Sequence, residues 1–116
     1  MRTNIKATDL DLTPSIREYI EKKMGMLSRY LKRFETRSEL QIFVEIARTT
    51  KHHNKGNVFY AEANLGLPKK VLRVEESSSD IRAAIDKVKD KLASEIKKYI
   101  DKNFDVDERK RKVIEV

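Results

Sequence analysis

The sequence predicts an α+β two-layer sandwich in the order β-α-β-β-β-α, a four-stranded sheet with two helices on one face. Three observations lead there. Short segments alternate apolar and polar residues, the period of half-buried strands. Two longer segments repeat apolar residues at helical spacing, each as one stripe. Because each helix and each long strand has a single apolar face, both helices must cover the same side of the sheet to bury it.

The elements follow in chain order. Residues 2–9 alternate, with Ile5 and Ala7 on one face and Asn4, Lys6 and Thr8 on the other. Thr13 is a good helix N-cap, and Pro14 suits the first helical position. Apolar residues at 16, 20, 24, 27, 31 and 34 then predict one helix from Pro14 to about Phe34. Gly25 weakens its middle by about 1 kcal/mol relative to Ala. Leu40, Ile42, Val44 and Ile46 alternate with Gln41, Phe43, Glu45 and Ala47 to give a second strand, and Arg48–Asn57 is a polar, basic loop. Phe59, Ala61, Ala63 and Leu65 mark the third strand, Gly66–Lys69 a turn, and Val71–Glu76 a short fourth strand. Ser77–Asp80 is a helix-start signal. Ile81, Ile85, Val88, Leu92, Ile96, Tyr99 and Ile100 form the stripe of a second helix of about 20 residues. The first strand–helix–strand unit requires parallel pairing with a right-handed connection, and the later strands should follow as antiparallel hairpins. Residues 1–104 are expected to form one domain, and 105–116 a flexible charged tail.

Length and composition bound the possibilities. A chain of 116 residues buries roughly two-thirds of its unfolded surface, enough for a core without staples. Without cysteine there is neither a disulfide framework nor a thiolate metal site. No stretch reaches the ~20 apolar residues of a membrane span, and the N-terminus lacks the apolar run of a signal peptide. A cytoplasmic protein is expected. Catalysis finds no support. The three glycines are far apart, so there is no phosphate loop, and Ser77, Ser78 and Ser79 stand where helix capping explains them. No cofactor and no small-molecule substrate are expected.

Charge carries the functional signal. Lys and Arg number 26 against 19 acidic residues, a net charge of +7. The pI near 9.6 falls in the range common for nucleic-acid-binding domains, although charges of mixed sign also serve solubility. Distribution decides between the two. At about 100° per residue, Lys87, Lys91, Lys98 and Lys102 fall on one flank of the second helix, and Asp86, Asp90 and Asp101 on the other, relieved by Lys97. In the first helix, Lys22, Arg29 and Arg33 share an outward stripe. Aligned cations repel one another; a polyanion would turn that repulsion into attraction with counterion release. The loop Arg48–Gly56 adds further cations, Lys55 among them, without an acid. Its adjacent His52 and His53 lack a third ligand, so no metal site is expected. Tyr19, Tyr30 and Tyr99 fall on or near the apolar stripes and are expected in the core. Phe43 and Tyr60 point to the open sheet face, either as a contact surface or packed on each other across strands.

Three segments carry a family resemblance. They are Thr13-Pro14-Ser15-Ile16-Arg17-Glu18-Tyr19-Ile20-Glu21-Lys22-Lys23, then His53-Asn54-Lys55-Gly56-Asn57-Val58-Phe59-Tyr60-Ala61-Glu62-Ala63-Asn64-Leu65, then Asp80-Ile81-Arg82-Ala83-Ala84-Ile85-Asp86-Lys87-Val88-Lys89-Asp90-Lys91-Leu92. In this order, and over about residues 2–103, the chain resembles the ribosome hibernation promoting factors, also called ribosome-associated inhibitors or the sigma-54 modulation family. Arg82 stands where that family often carries an aromatic residue. The resemblance implies a layout like that of double-stranded RNA-binding domains. It also implies a monomer that binds the small ribosomal subunit and its 16S-type rRNA in the channel of messenger RNA and of A- and P-site transfer RNA, and so silences idle ribosomes. Lys22, Arg29, Arg33, Lys55, Lys87, Lys91 and Lys98 are the expected rRNA contacts. The alternative is a protein-interaction regulator, for instance of transcription, acting through Phe43 and Tyr60.

Overall fold

Strict alternation decides the sheet. In the computed structural model, which describes residues 1–35, 39–49 and 58–102, β1 (Arg2–Thr8), β2 (Gln41–Arg48), β3 (Phe59–Leu67) and β4 (Lys70–Ser78) form one sheet in that spatial order. β1 runs parallel to β2, and the two later pairings are antiparallel. The register aligns Ile5, Val44, Ala63 and Val74 in one row and Thr3, Ile42, Leu65 and Leu72 in the next. These rows face the helices. The intervening rows, Asn4-Phe43-Asn64-Arg73 and Lys6-Glu45-Glu62-Glu75, form the open face. A slip of one residue would exchange the two faces, so burial fixes the register.

The helices cover one face, as the single stripes require. α1 (Pro14–Gly25) starts at Thr13, whose hydroxyl accepts from the Ile16 amide at 3.2 Å. α3 (Ile81–Ile100) starts at Asp80, whose carboxylate accepts from the Ala83 amide at 3.3 Å. Ile20, Met24, Leu31, Ile85, Leu92 and Ile96 are buried against Ile42, Ile46 and Leu65 in a single core. Each such side chain contributes about 1.5–3 kcal/mol through burial.

The structure differs from the sequence reading in four places. The first helix is not continuous to Phe34: α1 ends at Gly25, and a short α2 (Ser28–Leu31) and a 3-10 turn (Lys32–Phe34) follow. Hydrogen bonding tightens there, with the Leu27 amide on Met24 and the Tyr30 amide on Leu27, three residues back in each case. The Ser28 hydroxyl donates to the Gly25 carbonyl at 2.8 Å, satisfying a group the helix has released. The tightened turn lets Met24, Leu27 and Leu31 all reach the core. Second, Gly66 and Leu67 belong to β3, which leaves only Pro68 and Lys69 as the turn to Lys70. Third, Ser77 and Ser78 extend β4, and Ser78 is buried. Fourth, Phe43 lies opposite Asn64, whereas Tyr60 lies opposite Ala47 and Ser77, so the two aromatics are not cross-strand partners.

Candidate nucleic-acid interface

The outer surface of the helical layer is where the cations collect. On α1 and the segment after it, burial of Ile20, Met24, Leu27 and Leu31 turns Lys22, Arg29 and Arg33 outward, and all three are exposed. On α3, burial of Ile85, Val88, Leu92 and Ile96 leaves Lys87, Lys91 and Lys98 exposed on the flank beside β4. Lys87 donates to the Ser77 carbonyl at 3.5 Å, Lys91 pairs with Glu76 at 3.3 Å, and Lys98 pairs with Glu95 at 3.8 Å. Ion pairs this exposed contribute ~0–1 kcal/mol and exchange readily for another anion. Lys55 and the His52–His53 pair lie outside the described residues.

The opposite flank of α3 faces α1. There the Tyr19 hydroxyl donates to Asp86 at 2.6 Å and the Lys23 ammonium sits 3.3 Å from the same carboxylate. The hydrogen bond to Asp86 raises the Tyr19 pKa, and Asp86 likewise raises that of Lys23. Arg82 lies over the Tyr19 ring, 5.6 Å from its centroid, and donates to the Ser15 hydroxyl at 2.6 Å. Tyr19 and Tyr30 are therefore half-buried, packed against the edge of the core between cations, whereas Tyr99 is buried within it. Asp86 is absorbed in joining the two helices. The exposed cations of α1 and α3 flank that joint, which itself holds Lys23 and Arg82.

They converge at the C-terminal end of α3. On one flank of its last turns, Arg29, Lys32, Arg33 and Lys97 line an open groove of about 450 Å³ with Tyr30, Ile100 and Asp101. The Arg29 guanidinium donates to the Tyr30 hydroxyl at 2.7 Å, and Lys97 lies 5.5 Å from the Tyr30 ring centroid. The hydrogen bond from Arg29 lowers the Tyr30 pKa. On the other flank, Lys69, Lys70, Lys98 and Lys102 line a second groove of about 450 Å³ with Pro68, Glu95 and Tyr99. Tyr99 holds the two sides together. Its hydroxyl donates to the Pro68 carbonyl at 2.8 Å, and its ring meets Phe34 edge-on at 5.6 Å. Sequence reasoning missed Lys32, Lys69 and Lys70 here and left Lys97 as mere relief of an acidic flank. The helical wheel could not bring in Lys69 and Lys70, because the hairpin meets α3 only through the fold.

The open sheet face is different in kind. Tyr60 donates to Glu62 and Glu75, each at 2.7 Å, while Asn64 at 2.9 Å and Arg73 at 2.8 Å also donate to Glu62. Burial and the two glutamates push the Tyr60 phenol above its usual range, and Tyr60 and Asn64 lead the groups that hold Glu62 below the usual carboxylate range. Phe43 is 53% exposed on this face. Among the described residues, no group of three or more His, Cys, Asp or Glu could hold a metal ion, and no helix is long and apolar enough to cross a membrane.

Fold and site together define a small α+β domain with a cation-rich helical layer and a neutralised open sheet. Residues 3–115 match the family described as Sigma 54 modulation protein / S30EA ribosomal protein, and the chain belongs to that family. It is 31% identical over 105 residues to a ribosome hibernation promotion factor of Picosynechococcus, covering 90% of this chain and 51% of that protein. A protein of the same name from Lactococcus lactis is 31% identical over 99 residues, covering 85% of this chain and 49% of the relative. The chain thus spans about half the length of these curated relatives. Among solved structures, the N-terminal domain of Thermus thermophilus Protein Y matches with a TM-score of 0.68 and 32% identity, over 85% of this chain and 99% of that one. A ribosomal subunit interface protein from Coxiella burnetii matches with a TM-score of 0.60 and 25% identity, over 85% of this chain and 97% of that one.

Proposed function

We propose that this protein is a ribosome-associated translation inhibitor, a hibernation factor acting in the cytoplasm. It binds the small subunit in the channel used by messenger RNA and by A- and P-site transfer RNA, and silences idle ribosomes by occupying that channel. The observation that carries the reading is the exposed cation layer of α1 and α3, presented by a domain whose relatives are named ribosome hibernation promotion factors. Lys22, Arg29, Arg33, Lys87, Lys91 and Lys98 supply the contacts to 16S-type rRNA, joined by Lys55. No covalent chemistry is required; exclusion of the other RNAs is sufficient. A competition experiment tests this. Labelled initiator transfer RNA is bound to small subunits and the protein is titrated in. Release of the transfer RNA in proportion to bound protein is expected, and simultaneous occupancy would contradict the reading. A second reading, a protein partner on the open sheet face, has the exposure of Phe43 and Val71 in its favour. It predicts binding that survives high salt, whereas RNA binding weakens steeply with salt.

A further inference from the structure

We propose that the C-terminal end of α3 is a two-sided phosphate clamp, its grooves taking phosphodiester groups of an RNA backbone that crosses the end of the helix. The inference rests on the RNA-binding reading and deepens it by moving the tightest contact from the length of the helices to their end. Among the described residues, each groove is lined by four cations and one carboxylate. The C-terminus of a helix itself presents only about half a negative charge. Lys97 and Lys98, both in the last turn, are enough to complement it. Beyond those two, Arg29 comes from α2, Lys32 and Arg33 from the 3-10 turn, Lys69 and Lys70 from the hairpin, and Lys102 from just past Ile100. Non-local side chains of one sign brought to one place repel each other, and an incoming polyanion turns that repulsion into attraction.

Two details fit a site that must hold its shape. Lys69 has φ of +65°, the left-handed region where glycine or asparagine is the ordinary occupant; a cation stands at the hairpin tip where sterics favour a residue without one. Tyr99 fixes that tip to α3 through Pro68, and fixes the other wall through Phe34. The clamp is therefore braced before a ligand arrives, which reduces the ordering cost of binding. The helix end repels phosphate, so the anions must be held from the flanks by ammonium and guanidinium groups rather than by backbone amides.

The test compares three double variants of the full chain: Lys32→Ala/Lys97→Ala in one groove, Lys69→Ala/Lys70→Ala in the other, and Arg2→Ala/Lys6→Ala on the open face as a control of equal charge change. Binding to a short labelled single-stranded RNA and to small ribosomal subunits is measured over a range of salt, and thermal unfolding confirms that each variant folds. At ~0.7 per phosphate contact on single strands, each groove variant flattens the slope of log affinity against log salt by about 1.4. The control leaves the slope unchanged. If the groove variants behave like the control while wild-type protein binds subunits, the clamp is overturned and the functional reading stands. If wild-type protein ignores subunits but binds RNA through the grooves, the clamp stands and the functional reading falls. Binding to neither overturns both.

Discussion

Glu62 shows how one residue can couple the open face to pH. Its carboxylate accepts from Tyr60, Asn64 and Arg73, which hold it below its ordinary value of 4.5. The unfolded chain therefore takes up this proton first as pH falls. The stabilising contribution is complete above 4.5 and is lost as pH drops through the lower folded value. In thermal unfolding followed from about pH 6 to about pH 3, the stability difference between wild type and Glu62→Gln should shrink toward acid; a difference that is constant or grows would contradict the assignment. Tyr99 gives a second residue-scale expectation. Losing its hydroxyl in Tyr99→Phe removes the hydrogen bond to Pro68 and should cost about 1 kcal/mol in urea unfolding. Alternation placed Glu62 on the open face, and the apolar stripe placed Tyr99 in the core. Their partners depended on cross-strand register and on long-range packing, which no local pattern encodes.

At the scale of elements, α1 and its continuation are the instructive case. The apolar residues at 20, 24, 27 and 31 are all buried, so the stripe was legible. The break was not, because tightened hydrogen bonds change the rise per residue while keeping the same apolar positions inward. Gly25 does not need to be glycine: a Cβ there meets nothing within 4 Å. Gly25→Ala should accordingly stabilise the protein by about 0.4–1 kcal/mol, read as a raised unfolding midpoint. α3 matched its wheel more closely, since Ile85, Val88, Leu92 and Ile96 all face the core. Leu92→Ala should cost ~2–5 kcal/mol, a large share of the ~5–15 kcal/mol that holds a domain of this kind together. Reversing Lys87, Lys91 and Lys98 to Glu, by contrast, should leave the unfolding midpoint nearly unchanged, weaken subunit binding and flatten its salt dependence. Unaltered affinity would mark that flank as solvated surface only.

At the scale of the whole molecule, the sheet order, strand polarities and placement of both helices followed from periodicity and from the need to bury single apolar faces. What the sequence could not supply was convergence. Lys69 and Lys70 are distant in the chain from Lys32 and Lys97, and packing of the shared core, with Tyr99 touching both Pro68 and Phe34, brings their grooves to opposite flanks of one helix end. Nor could the wheel reveal that Asp86 is drawn into the α1–α3 joint by Tyr19 and Lys23. The central claim is that the cationic helical layer binds ribosomal RNA. Co-sedimentation of the purified protein with small ribosomal subunits, at low and then rising salt, tests it most directly. The protein should pellet with the subunits at low salt and be released progressively as salt rises. Recovery entirely in the supernatant at low salt would contradict the account.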